Sequence, residues 1–320
     1  MTLPIGYHLR PATADDDPAL LRLRSRLEPD AAPISLERLQ AERAERDRTG
    51  GEVWAVVDED GLVGAASFSA AWWTDDPGVY AIEIQVDPAH QRRGIGSSVF
   101  HLLRSRLCER RANRLLAWLR ADSPAGRAFA ARHGFQETGQ SIREYQLSLP
   151  EARTAEAERR LEQLRAEGIR IATLAELPAP GPEFFHALHG VWANVPGDPS
   201  DLERLRASFP RWAQEVLHGP GLSPDTHWVA LDRDRPVGMT FLRRLTDHAA
   251  ENDYTSVAAP YRGRGIAAAL KLEAIRWGRR NGLTEYCTAT EPTNLPMVRL
   301  NERLGYRPGS TRLEVSKDLD

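Results

Sequence analysis

Apolar residues recur at helical intervals in two early stretches, "DDDPALLRLRSRL" at 15–27 and "SLERLQAERAERD" at 35–47. Three aspartates suit the positive end of the first helix, and Ser35 is the predicted cap of the second, whose outer face is charged. The pattern then changes to that of strands. "EVWAVVDEDGLVGAASF" predicts a hairpin turning at Asp60-Gly61, and "YAIEIQVD" alternates Ile82, Ile84 and Val86 with Glu83 and Gln85. After the turn "QRRGIG", Ile95, Val99, Leu102, Leu103 and Leu107 return to helical spacing. A strand "RLLAWLRAD", a short helix closed by Gly134 and terminal strands through "REYQLSL" complete this half.

The same order then repeats. "IRIATLAEL" is a predicted strand, "PEFFHALHGVWANV" and "DLERLRASFPRWAQEVLHG" are helices, and "HWVALDRDRPVGMTF" is a hairpin turning between Asp232 and Arg235. "YTSVAAP", a second glycine turn "RGRGIA", a helix through Arg280, the strand "TEYCTAT", the helix "LPMVRLNERLG" and a last strand pair follow. One constant offset relates Gln91 to Arg262, Gly94 to Gly265, Gly134 to Gly305 and Phe135 to Tyr306, as a duplicated unit requires. The pattern predicts a domain over 1–150, a connecting helix over 151–168 with Leu161 and Leu164 on one face and Gly168 at its end, and a second domain over 169–320.

Composition fits two cores. The 320 residues are 41% hydrophobic and 27% charged, ordinary for a globular protein of more than one domain. A formal charge of -3 supplies no basic field for nucleic acid, so a small-molecule partner is expected, with the chain a monomer or homodimer. Cys108 and Cys287 are too few for a disulfide framework, and no signal segment or long apolar run is present, so the reading is cytoplasmic and away from membrane. The nine histidines show no metal-binding spacing, and no metal is expected.

The chemistry lies in the glycine turns. A helix start leaves amides unpaired and carries partial positive charge, so a phosphate is its natural ligand, and glycine lets the backbone come close. Neither turn has the lysine of a nucleotide triphosphate-binding loop. Gly263-Arg-Gly265-Ile-Ala-Ala268 fits the dinucleotide fingerprint, but Val99 breaks it in the first copy, and both turns stand several residues beyond their strand. What both copies share is a valine, four to five residues that include a proline, and then Gln/Arg-x-x-Gly-x-Gly/Ala.

"VDPAHQRRGIG" and "VAAPYRGRGIA", with "ARHGF" and "NERLGY" later in each half, resemble the GCN5-related N-acetyltransferase (GNAT) family, and the doubled array resembles its tandem members. The resemblance implies an α/β fold with an α+β mixed sheet: two tandem GNAT folds, each a splayed mixed β-sheet flanked by helices. It implies acetyl-CoA as cosubstrate and direct acetyl transfer to the amine of a small molecule. Backbone groups of Ile84, Gln85 and Val86, and of Thr255, Ser256 and Val257, would pair with the pantetheine arm. Gln91, Arg92, Arg93, Gly94, Ile95, Gly96 and Ser97, and Arg262, Gly263, Arg264, Gly265, Ile266, Ala267 and Ala268, would form the two pyrophosphate turns.

The family's general-base glutamate falls on Glu251 in the second half and on Tyr80 in the first, where Glu83 offers another carboxylate. The second half is therefore the expected catalytic one. The family's thiolate-protonating tyrosine is replaced by Ala130 and Asn301, so that either solvent supplies the proton, another tyrosine such as Tyr286 or Tyr145 substitutes, or turnover is slow. Asn294 matches a CoA-contacting position and is equally a helix cap, with Ser123 its counterpart. Asn194 and Asp198, in the long loop after Trp192, are candidates to meet a cationic amine, and Trp72, Trp73, Trp192, Trp212 and Trp228 are candidates for a pocket wall. Cys287 reads as a small buried hydrophobe. A noncatalytic acyl-CoA-binding or regulatory protein, and an acetyltransferase acting on a protein amine, are the alternatives.

Overall fold

The structure, a computed structural model, describes residues 3–193 and 207–319. Two compact units form: Met1–Ala71 with Asp76–Ile142 and Ser310–Asp320, and Trp72–Asp75 with Arg143–Gly309.

In the first unit the sheet runs β1 (His8–Pro11), β2 (Glu52–Asp58), β3 (Gly61–Ala70), β4 (Val79–Val86), β5 (Arg114–Arg120) and then the last strand of the chain, β12 (Arg307–Asp318). The β2–β3 hairpin closes where the Asp58 carboxylate accepts from the amides of Asp60 and Gly61 at 3.0 and 3.1 Å. Helix α1 (Asp17–Leu27) follows a turn in which Asp16 accepts from both Arg10 Nη atoms at 2.7 Å and from the Thr13 amide at 2.8 Å. Those donors, Arg10 first, hold its carboxyl down at about 2 against the cost of burial. Ser35 caps α2 (Leu36–Arg48) through the Arg38 amide at 3.1 Å, as its position implied. The core forms where α3 (Ile95–Glu109) lays Ile95, Val99, Phe100, Leu103 and Leu107 against Val56, Ala66, Phe68 and Ile82 of the sheet. The short helix α4 (Pro124–Arg132) ends before Gly134, whose φ of 76° is a left-handed stop.

In the second unit the order is β6 (Gln136–Ser148, through its residues 143–148), β11 (Glu285–Thr290), β10 (Ala249–Val257), β9 (Arg235–Arg244), β8 (His227–Asp232) and β7 (Ile169–Thr173). Helix α5 (Ala155–Ala166) buries Ala157, Leu161 and Leu164, the face its leucines predicted, and α6 (Pro182–Ala193) buries Leu188, Val191 and Trp192. Helices α7 (Ile266–Arg280) and α8 (Leu295–Leu304) are the counterparts of α3 and α4. Among the described residues no helix is long and apolar enough to cross a membrane.

Two observations depart from the expected pattern. Each half ends in one long strand where a pair of terminal strands was expected, and these strands are exchanged. Residues Arg312–Asp318 of β12 run antiparallel to β5 from Arg312↔Arg120 to Asp318↔Arg114, and β6 runs antiparallel to β11 from Glu285↔Ser148 to Thr290↔Arg143. An alternating pattern says which face of a strand is buried and nothing about its neighbour. Secondly, Lys271 on α7 is 2% exposed, where the first unit has Phe100. Its Nζ donates to Asn252 Oδ1 at 2.6 Å and lies 5.1 Å from the centre of the Tyr306 ring. Burial alone pulls this amine down to about 7.

Candidate functional site

Each glycine turn leaves a strand whose parallel neighbour has already diverged. The β4–β5 ladder spans only Val79↔Arg114 to Ala81↔Leu116, and the β10–β11 ladder only Ala249↔Glu285 to Glu251↔Cys287. Beyond these pairs the edge of each first-named strand turns its backbone groups toward a widening gap. In the first unit this gap is a cleft of about 680 Å³, within the range of cofactor sites. Residues Ile82–Val86 of β4 form one wall and Ala117–Arg120 of β5 the other, with Arg92 and the start of α3 at one end. Leu27, Glu28, Arg312 and Val315 also line it, together with Ser123 and residues of α4 as far as Arg132.

The two turns share one backbone design, which explains their sequence. The side chain of the first residue hooks back onto the strand end: Gln91 Nε2 donates to the Val86 carbonyl at 3.0 Å, and Arg262 Nε to that of Val257 at 3.1 Å. The second and fourth residues are left-handed, with φ of 64° at Arg92, 86° at Gly94, 74° at Gly263 and 81° at Gly265. The dinucleotide-like Gly-x-Gly of the second copy therefore arises because Gly263 fills a position that Arg92 occupies under strain. The helical ladder begins with the amide of Ser98 donating to Gly94 and that of Ala269 to Gly265. The amides of Ile95, Gly96 and Ser97, and of Ile266, Ala267 and Ala268, thus stand ahead of the ladder at the positive end of a helix, a donor set that fits a diphosphate.

The arginines beside the turns differ. Arg92 lines the cleft, whereas Arg93 is turned away, donating to Tyr7 Oη at 2.9 Å and the Ala89 carbonyl at 3.1 Å. Arg264 donates to Glu167 Oε2 at 2.6 Å. Ser97 Oγ lies 3.0 Å from His133 Nε2. Burial, then His101, Arg132 and Lys317, lower the pKa of that imidazole.

Of the carboxylates, Glu83 is exposed on the cleft and accepts from Gln85 Nε2 at 2.7 Å, on the face opposite Ile82 and Ile84. Tyr80 instead packs edge-on against Phe68, ring centres 6.0 Å apart, with the first unit's core. Glu251 occupies the last paired position before β10 leaves β11, opposite Arg243 of β9. Burial works against the charge of Arg243, but Asp253, Glu251 and Glu215 outweigh it and raise its pKa, and Asp253 holds its Nε at 2.9 Å. A register shift between Asn252 and Tyr254 turns the following residues. Thr255 Oγ1 then meets Thr240 Oγ1 at 2.8 Å, and Ser256 Oγ donates to the Val191 carbonyl at 3.1 Å, leaving Val257 to accept from Arg262.

Asn294 caps α8, accepting from the Met297 amide at 3.3 Å, as Ser123 caps α4 through the Gly126 amide at 3.1 Å. Asn194 and Asp198 lie outside the described residues. Trp192, Trp212 and Trp228 are buried core residues, and Trp72 packs beside the first two. Tyr286 and Tyr145 are likewise buried; Tyr286 donates to the Ala274 carbonyl at 2.7 Å. Burial pushes the Cys287 thiol well up, which leaves it inert as a nucleophile. Ala130 is buried, and the fully buried Asn301 amide has no hydrogen-bond partner among the described residues. No cluster among the described residues could hold a metal ion.

Sequence reasoning missed the contribution of β12. Arg312 Nη1 donates to Glu28 Oε1 at 2.8 Å beside Arg120 in the first unit's cleft. Burial pushes the Glu28 carboxyl up, but Arg312, Arg24 and Arg120 outweigh it and leave it below the usual range. No sequence signal linked residue 312 to residue 28, because the link is made by strand exchange.

A model of the acetyltransferase (GNAT) family matches residues 18–135 and 192–306. A mycothiol acetyltransferase of Clavibacter sepedonicus is 31% identical over 244 residues, covering 76% of this chain and 74% of that protein. Two solved structures share the fold. One is a GCN5-related N-acetyltransferase from Sphaerobacter thermophilus, with a TM-score of 0.71 and 21% identity over 99% of this chain and 97% of that one. The other is a tandem GNAT protein from the clavulanic acid biosynthesis pathway, with a TM-score of 0.72 and 19% identity over 98% of both chains.

Proposed function

Because the chain belongs to the acetyltransferase (GNAT) family, we propose that it is an acetyl-CoA-dependent N-acetyltransferase with the cofactor in the first unit's cleft and a small-molecule amine as acceptor. The observation that carries this reading is the cleft itself, whose walls are the diverging β4 and β5 and whose end is the amide-rich turn at 94–97. The mycothiol acetyltransferase relatives support a small-molecule acceptor.

In this reading the free edge of Ile84–Val86 pairs with the pantetheine amides, and the amides of Ile95, Gly96 and Ser97 hold the diphosphate. Glu83, kept in place by Gln85, takes the proton from the attacking amine as the N–C bond forms and the C–S bond breaks. No side chain at position 130 can protonate the departing thiolate, so water in the open cleft does so. A second reading places the chemistry at Glu251, with Thr255–Val257, the turn at 262–268 and Asn294 holding the cofactor; the placing of Glu251 at the last pair before β10 diverges favours it.

Measurement of CoA release over a panel of amines, with Glu83→Gln and Glu251→Gln in parallel, tests both. A fall of about 10²–10⁴ in kcat/KM for E83Q alone supports the first reading, and the same fall for E251Q alone supports the second. Acetyl-CoA binding without release by any amine identifies a noncatalytic acyl-CoA-binding protein instead. No binding refutes the cleft assignment.

A further inference from the structure

The two glycine turns have the same backbone and different surroundings. At Gly94, among the described residues, only Pro4 Cγ comes within 4 Å of where a Cβ would stand, at 3.7 Å. At Gly265 the same space is filled by the side chain of Arg160 from α5, whose Cγ, Nε and Cδ all lie closer than van der Waals contact to that point. Arg160 Nε donates to the carbonyl of Arg264, and its Nη1 donates to Gln163 Oε1 at 2.8 Å. Its guanidinium is also 4.0 Å from Glu167, the carboxylate that binds Arg264.

The backbone of Arg160 is anchored beside the turn. Its neighbours Ala157, Leu161 and Leu164 are buried in one cluster with Ile266, Ala269 and Leu270 of α7, so the backbone that carries it is fixed on the helix whose N-terminus it covers. A cation is disfavoured at the positive end of a helix. Here the Arg264 carbonyl and the Glu167 carboxylate offset that cost, and packing of α5 sets the position.

We infer that Arg160 closes the second glycine turn to the diphosphate of an acyl-CoA, so that the chain carries one cofactor on two similar turns. The inference rests on the acyl-CoA reading of the first cleft. It makes the second turn a built anion cradle held shut by the chain's own connecting helix, opened only if the Arg160 side chain withdraws.

Calorimetric titration of coenzyme A into the whole protein tests it, with Arg160→Ser and Glu167→Gln as variants and thermal melting to verify folding. The expected stoichiometry is one for the wild type, two for R160S, and one for E167Q, which frees Arg264 but leaves the Arg160 stem across Gly265. Two sites in the wild type overturn the inference without any variant. A single site in folded R160S also overturns it, because removal of the stopper then exposes nothing. Binding by none of the proteins refutes the acyl-CoA reading, and the inference with it.

Discussion

Replacement of Lys271 by methionine is expected to stabilise the protein, most strongly at and below neutral pH. The buried amine is lowered to about 7 from an ordinary 10.5, and at about 1.4 kcal/mol per unit this difference amounts to roughly 5 kcal/mol of opposition to folding. The folded pKa lies below the unfolded one, so between pH 10.5 and 7 the unfolded chain holds a proton that the folded chain lacks, and wild-type stability falls as pH falls through that window. Methionine fills a similar volume without a charge, but it leaves Asn252 Oδ1 without its 2.6 Å donor, a loss of about 1–3 kcal/mol. The net gain at pH 7 is then about 2–4 kcal/mol. It shrinks with rising pH and reverses between about pH 8 and 10. Urea denaturation of both proteins at pH 6.5 and 9.5 measures this, and a stability gap that is equal at the two values refutes the account of Lys271 as an amine whose charge is opposed by burial.

Gly94→Ala forces a side chain into a left-handed turn and should cost about 1–2 kcal/mol, read as a lower denaturation midpoint; an unchanged midpoint contradicts the turn geometry. Asp16→Asn should cost about 1 kcal/mol near neutral pH, after allowance for the solvent around half-exposed Arg10. Because the folded pKa of Asp16 is depressed, that difference is present above pH 3.8 and fades as pH falls toward 2, which acid titration of the two unfolding curves reads directly. Deletion of residues 310–320 removes the partner of β5 together with Arg312 and Val315, and should abolish coenzyme A binding in calorimetry while Glu83 and the glycine turn remain in the chain.

The duplicated architecture was legible because its marks are local. A left-handed residue before a helix demands glycine at 94 and 265, a hairpin demands its Asp-Gly, and helix caps demand Ser35 and Asn294; each is written within a few residues of where it acts. What differs between the halves was not legible. Arg160 in a charged helix, and Lys271 in an amphipathic one, have the composition of solvated residues, and only packing reveals one across a turn and the other in a core. The preference for Glu251 followed from counting back along the strand. The structure adds what counting cannot supply, an arginine-centred ion cluster around Glu251 and an open cleft beside Glu83.

Exchange of the terminal strands fixes an order of events in synthesis. The first unit is translated almost entirely before the second, yet the strand that covers the edge of β5 is made only after the second unit. Until then nascent β5 presents bare backbone donors and acceptors, which any other strand can engage. The second unit receives residues 143–148 before β11 is made and never waits. Maturation therefore runs backward along the chain, and neither repeat can be expressed alone with its sheet complete.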